Sequence, residues 1–203
     1  SIQDAIQEAG FTEPSPVQKE AIPLILDGND IIAQAQTGTG KTAAFGLPIM
    51  SMMKADGSVE GLVIVPTREL AMQVSDELYR FGKLSNIKTA TVYGGTAYAK
   101  QIERINQASI VVATPGRLQD LLMSKKIKLN PHFVVLDEAD EMLDMGFLDE
   151  IKNIFTFLAK DRQTLMFSAT MPKAIRKLAE EILQEPKTVS ITKSESTNTS
   201  ITQ

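Results

Sequence analysis

Seven short β-branched runs, at residues 30–33, 61–65, 88–92, 110–113, 133–136, 164–167 and 187–191, recur along the 203-residue chain with amphipathic stretches between them. No other feature restricts the fold as much. Most of the runs are continuously apolar instead of alternating, which is how strands read when both faces of a sheet are covered. Between them Leu70, Val74, Leu78 and Phe81 follow one another at spacings of four, four and three, and Ile175, Leu178 and Ile182 share a helical face as well. Strand and helix alternate six times. This rhythm predicts an α/β fold: right-handed crossovers, an open, mostly parallel sheet with helices on both faces, and ligands at the carboxyl ends of the strands.

Composition narrows the chemistry. The chain has no cysteine and a single histidine, His132, so disulfides, thiolate zinc sites, cysteine nucleophiles and multi-histidine metal centres are excluded. His132 enters its strand at the end away from the expected ligand rim and is given no function. Catalysis must rest on Lys, Asp, Glu, Thr and backbone groups. No stretch approaches the ~20 apolar residues of a membrane span, and residues 1–10 carry Asp4 and Glu8 where a leader would be basic and then apolar. A soluble, cytoplasmic protein with no membrane partner is expected. The net charge of −4 conceals an uneven distribution: residues 137–150 hold seven acids and no base, so the other 189 residues sum to +3. A basic face for nucleic acid is therefore permitted.

The run Ala35-Gln36-Thr37-Gly38-Thr39-Gly40-Lys41-Thr42 lies between a predicted strand and a helix predicted to begin at Lys41. It is a P-loop with Ala35 in place of the usual first glycine. Small residues let the backbone N–H groups turn inward on phosphate oxygens, and the helix that follows adds its positive end. Lys41 then reaches the β- and γ-phosphates and the Thr42 hydroxyl ligates Mg²⁺. The apolar run at 133–136 leads directly into Asp137-Glu138-Ala139-Asp140. A carboxylate at the tip of a rigid strand suits a Mg²⁺ ligand, which assigns Asp137 to the metal. Glu138 can polarise an attacking water, which favours hydrolysis over transfer. Glu141, Asp144, Asp149 and Glu150 fit a solvated face.

Two segments fall outside the rhythm. Residues 1–26 read as two helical stretches broken at Pro14-Ser15-Pro16, and residues 192–200 (TKSESTNTS) are polar and read as a linker.

With these motifs in hand, the chain resembles the N-terminal, RecA-like ATPase domain of a DEAD-box RNA helicase. Gly10-Phe11-Thr12-Glu13-Pro14-Ser15-Pro16-Val17-Gln18 matches the Q motif and Pro66-Thr67-Arg68-Glu69-Leu70-Ala71 motif Ia. Gly94-Gly95 matches the GG motif, Thr114-Pro115-Gly116-Arg117 motif Ib and Ser168-Ala169-Thr170 motif III. The family's aromatic upstream of the Q motif has no counterpart, nor do the motifs of a second RecA-like domain.

The resemblance implies an ATP-hydrolysing motor domain over residues 1–191, with 192–203 opening a linker to that second domain. It implies ATP and Mg²⁺ as cofactors. Adenine would be paired by the Gln18 amide and stacked on Phe11, although alone these read as a helix residue and a core aromatic. Single-stranded or duplex RNA would be gripped through its backbone by Pro66, Thr67, Arg68, Gly94, Gly95, Thr114, Pro115, Gly116 and Arg117, without sequence preference. Thr67 and Thr114 also suit plain helix N-caps. Ser168 and Thr170 would bond Asp140 and couple the two sites, or else cap the helix after Met171-Pro172. Arg162 precedes its strand at the end away from the site, Arg80, Arg104 and Arg176 lie within predicted helices, and none is placed to act as an arginine finger. A rival reading is a P-loop module of another class serving as an RNA-binding scaffold. The sequence lacks an Asn/Thr-Lys-x-Asp guanine-reading stretch and a Leu-Ser-Gly-Gly-Gln transporter signature.

Overall fold

A computed structural model describes residues 13–36, 38 and 40–191. Seven strands, β1 (Ile31–Gln34), β2 (Gly61–Ile64), β3 (Thr89–Val92), β4 (Ile110–Ala113), β5 (Phe133–Leu136), β6 (Gln163–Ser168) and β7 (Lys187–Ser190), form one sheet in the order β3-β4-β2-β5-β6-β1-β7. Every pairing is parallel. The expected open α/β sheet is therefore present, and each expected strand lies within one residue of an observed one at either end.

Eight α-helices fall among the described residues: α1 (Pro16–Leu26), α2 (Lys41–Met52), α3 (Arg68–Gly82), α4 (Tyr98–Gln107), α5 (Pro115–Met123), α6 (Ala139–Asp144), α7 (Leu148–Thr156) and α8 (Lys173–Ile182). The sheet divides the core in two, and the period-two geometry of a strand decides which residue faces which half. Ile31, Val63, Val112, Val135 and Phe167 pack with α1, α2 and α3. Leu62, Ile64, Val111, Val134 and Met166 pack with α4 to α8. A strand such as Phe133–Leu136 is buried at all four positions for this reason.

Local signals explain the helix boundaries. Ser15 and Gln18 form a capping box at α1, with Pro16 in the first turn, satisfying two amide groups that would otherwise lack partners. Thr67 caps α3 by accepting from the Leu70 N–H at 3.2 Å. The acidic stretch after β5 is interrupted at Gly146, whose φ of +86° ends α6 before α7 begins. On α8, Ile175, Leu178 and Ile182 are all buried, as their spacing predicts.

This topology fixes the position of the site. Chain leaving β1 enters α2 on one face, while chain leaving the neighbouring β6 enters α8 on the other, so their carboxyl ends flank a crevice of the kind in which open α/β sheets bind ligands. The Ala35 N–H donates to Ser168 O across it at 3.1 Å.

Candidate functional site

The phosphate-loop residues stand at the mouth of that crevice. Ala35 is buried at the end of β1, Gln36 is exposed beside it, and Gly38 and Gly40 hold φ values of +82° and +80°. These conformations favour glycine strongly over any residue with a Cβ. At Gly40 packing demands it too, since a Cβ would fall 2.5 Å from Gln18 Nε2. Thr37 and Thr39 lie outside the described residues, as does Phe11. Gly40 leads into α2, so Lys41 and Thr42 sit on the positive end of a twelve-residue helix.

Three charged side chains converge there. Lys41 Nζ lies 3.2 Å from Asp137 Oδ1 and 3.9 Å from Glu138 Oε1, and Lys41, Thr42, Asp137 and Glu138 are only 5–8% exposed. Burial pushes the Asp137 carboxyl above the usual carboxylate range, with the Lys41 ammonium opposing the shift. Asp137 Oδ1 is buried without an aligned hydrogen bond. A hard cation suits such an oxygen, and the Thr42 hydroxyl at the helix start supplies a second, so the donor set fits Mg²⁺. Among the described residues no three His, Asp or Glu side chains gather into a cage, and Mg²⁺ commonly takes only one or two protein ligands beside phosphates and water. Glu138 stands at φ 54°, ψ 50°, a left-handed conformation that costs a residue other than glycine roughly 1–3 kcal/mol and concentrates at working sites.

A cavity of about 260 Å³ is bounded by these residues and by Glu77 and Arg80 of α3. Sequence reasoning set Arg80 aside as a helical residue; the structure puts it on the wall of this cavity.

Gln18 ties the leading segment to the loop. Its Nε2 donates to Gly40 O at 3.2 Å, and its Oε1 accepts from the Ser15 N–H at 2.9 Å. Each amide atom retains capacity for one more hydrogen bond.

Asp140 points to the other side. Its N–H donates to Ser168 Oγ at 3.2 Å, and its Oδ2 accepts from the Thr170 hydroxyl at 2.9 Å and the Thr170 N–H at 3.1 Å. Ser168 Oγ donates in turn to Thr170 O at 2.8 Å. Partial burial works to raise the Asp140 carboxyl, yet the hydrogen bonds from Thr170, Ser168 and the backbone outweigh it and hold the group below its ordinary value. The alternative role as a helix cap does not hold, because Pro172 is the N-cap residue of α8 and no side chain bonds there.

Further along the rim Arg68, Gly94 and Gly95 are exposed, Thr67, Thr114, Gly116 and Arg117 are half-buried, and Pro66 and Pro115 are buried. Arg68 opens α3, with its guanidinium 4.4 Å from the centre of the Tyr93 ring. Gly94 and Gly116 adopt ordinary φ values, and a Cβ on either would meet no atom within 4 Å. Nothing in the chain's own packing asks for glycine at these two positions, as it would if an outside backbone approached closely. Gly95 is exposed and has φ +88°. Thr67 and Pro66 hold the start of α3. Thr114 precedes Pro115 at the start of α5 but makes no capping hydrogen bond, so its expected role as a side-chain cap is not realised. Arg117 Nη1 donates to Thr96 O and to Gln101 Oε1, both at 2.9 Å. The buried Gln101, which sequence reasoning missed, also donates to Tyr93 O at 2.8 Å and to the Thr96 hydroxyl. It thereby joins the glycine pair to Arg117.

The model of the DEAD/DEAH box helicase family matches residues 15–178. The chain belongs to that family. It is 55% identical over its whole length to the DEAD-box ATP-dependent RNA helicase RhpA of Helicobacter pylori, of which it covers 42%. It is 49% identical to the CshA helicase of Streptococcus pneumoniae, with 98% of this chain and 38% of the relative aligned. Among solved structures, a DEAD box protein from Methanococcus jannaschii superimposes with a TM-score of 0.91 at 40% identity, covering 94% of this chain and 53% of that one. The chain thus spans less than half the length of these two curated relatives. The shared fold is the RecA-like domain, and the sheet order and P-loop crevice described above are its frame. At the amino end of β6, away from this crevice, Arg162 donates to Thr164 Oγ1, Ala159 O and Ile182 O. No helix among the described residues is long and apolar enough to cross a membrane.

Proposed function

We infer that this chain is the first RecA-like domain of an ATP-dependent RNA helicase, binding ATP at the P-loop crevice and the RNA backbone along the remainder of the rim. The observation that carries this reading is the buried contact of Lys41 with Asp137 and Glu138 beside a helix N-terminus, a combination with a direct use in phosphoryl transfer. ATP, when bound, supplies the phosphoanhydride that is cleaved. Lys41 and the loop amides would hold its phosphates, while Thr42 and Asp137 would hold Mg²⁺. Glu138, fixed by its strained backbone, orients water and accepts its proton. Gln18 offers adenine one donor and one acceptor while its other bonds keep the loop in place. Asp140, Ser168 and Thr170 bridge the end of β5 to the end of β6 and would carry closure on RNA to the nucleotide.

The glycines, hydroxyls and guanidinium groups of the rim would contact sugar and phosphate, which positions a strand without reading its bases. Arg80 lines the cavity from α3, but none of the described arginines is assigned the transition-state charge that a finger would meet. That charge, and the other half of the RNA grip, would come from a second RecA-like domain reached through residues 192–203. The 203-residue chain is accordingly expected to bind adenine nucleotide weakly, to hydrolyse ATP slowly at most, and to unwind nothing. RNA-stimulated phosphate release by the full-length protein tests the reading. Stimulation with preference for ATP over GTP supports it, and nucleotide binding with no RNA response would favour the scaffold alternative.

A further inference from the structure

Tyr98 begins α4, three residues after the Gly94–Gly95 pair, and carries two cations on one exposed ring. The Arg117 guanidinium and the Lys126 ammonium each lie 4.2 Å from its centre. Arg117 comes from the first turn of α5 and Lys126 from beyond the far end of the same helix. A particular turn brings Lys126 there. The Lys125 N–H donates to Leu122 O and the Lys126 N–H to Leu121 O, both at 3.1 Å, with Lys125 at φ +59°. This is a helix-terminating turn whose left-handed position ordinarily selects glycine; here it is filled by a lysine, next to a second. Lys125, Lys126 and Lys128 are all exposed, and residues 121–130 contain no acid.

Gathering two like charges on one surface ring does little for the fold, since exposed charge contacts are worth little and these two repel. The arrangement gains a purpose if an anion shares it. The site also prolongs a line already drawn, from Arg68 on Tyr93 across the glycine pair to Arg117. Lys126 lies outside every motif quoted above.

We propose that Tyr98 and Lys126 form an additional phosphate subsite for single-stranded RNA, continuing the backbone track past the glycine pair. Lys126 supplies the charge. Tyr98 is a positioning residue: its ring holds the Arg117 plane, which Thr96 and Gln101 fix from the other side, and keeps Lys126 beside it. The inference rests on the reading of this rim as an RNA grip.

The test is a titration of the full-length protein with a labelled oligouridylate at salt concentrations from about 50 to 200 mM, because each phosphate neutralised on a single strand adds about 0.7 to the slope of log affinity against log salt. Lys126→Ala is expected to make the slope shallower by about 0.7, and Lys126→Arg to restore it. Tyr98→Phe should retain the wild-type slope, and Tyr98→Ala should lose at least as much as Lys126→Ala. Since Lys126 is an exposed turn residue, its variants keep the test readable even where Tyr98→Ala fails to fold. A wild-type slope for Lys126→Ala, alongside a shallower one for Arg68→Ala, overturns the subsite while leaving the rim reading intact. Absence of salt-dependent RNA binding by the wild-type protein overturns the rim reading and the subsite together.

Discussion

At the P-loop end of the rim, Lys41 is buried within ion-pair distance of the equally buried Asp137 and Glu138, whereas at the glycine-pair end Arg68, Gly94, Gly95 and Tyr98 stand exposed, with cations laid on aromatic rings. Both ends are built from the same material, the loops that leave a parallel sheet at its carboxyl edge. The difference lies in dielectric. A compact polyphosphate bound where water is excluded meets strong fields and a carboxylate whose proton affinity burial has raised. An extended polyanion on an open surface is held by many weak, screened contacts. On the proposed function, one sheet edge would supply a site for chemistry and a site for grip.

Substitution should expose this asymmetry most at Lys41. Lys41→Ala leaves two buried carboxylates without their cation, and breaking such a pair costs about 3–5 kcal/mol of stability. Binding of ATP, measured by calorimetric titration, should fall below detection. If Lys41→Ala were no more harmful to nucleotide binding than Arg68→Ala, the contrast between the two ends would be wrong.

The capping threonines sharpen the comparison on a smaller scale. Thr67 makes its capping hydrogen bond and Thr114 does not. Thr67→Ala should therefore cost about 1 kcal/mol in denaturant unfolding, and Thr114→Ala close to nothing. Equal losses would show that the Thr114 hydroxyl is committed to the fold instead of standing ready for a ligand.

The smallest expected effect concerns acid. Asp137 and Asp140 are three residues apart and shifted in opposite directions, the first upward by burial, the second downward where hydrogen bonds outweigh partial burial. A carboxyl whose folded value lies below its unfolded one stabilises the fold above the unfolded value, and that stability is lost as pH falls through the folded value. Thr170→Val should thus destabilise by about 1 kcal/mol or less at neutral pH, and the gap from wild type should narrow as pH drops below the ordinary aspartate value of 3.8. A gap independent of pH would remove Asp140 as its cause.

What could be read in the sequence follows from the same physics. Strands buried on both faces must be apolar at every position, so runs such as 110–113 and 133–136 announced themselves, and the P-loop was recognisable because its spacing is dictated by phosphate geometry. Contacts between distant residues were not legible. Gln101 reads as an ordinary helical glutamine until Arg117 and Tyr93 are brought beside it. Arg80 reads as a solvated last-turn cation until α3 is laid along the cavity beside Lys41 and Asp137. The break at Gly146 is not legible because the acidic stretch carries helical character on both sides of it. Tyr98 reads as an ordinary tyrosine until Arg117 and Lys126 are brought onto its ring.

The most direct test of the account is single-turnover ATP hydrolysis by the full-length protein carrying Glu138→Gln, with ATP affinity measured alongside. The amide keeps the shape of the carboxylate but cannot accept a proton, so affinity should stay within a few-fold of wild type while the rate of hydrolysis falls by about 10²–10⁴. A hydrolysis rate equal to wild type would contradict the assignment of this buried, strained glutamate as the base that the whole crevice is built to position.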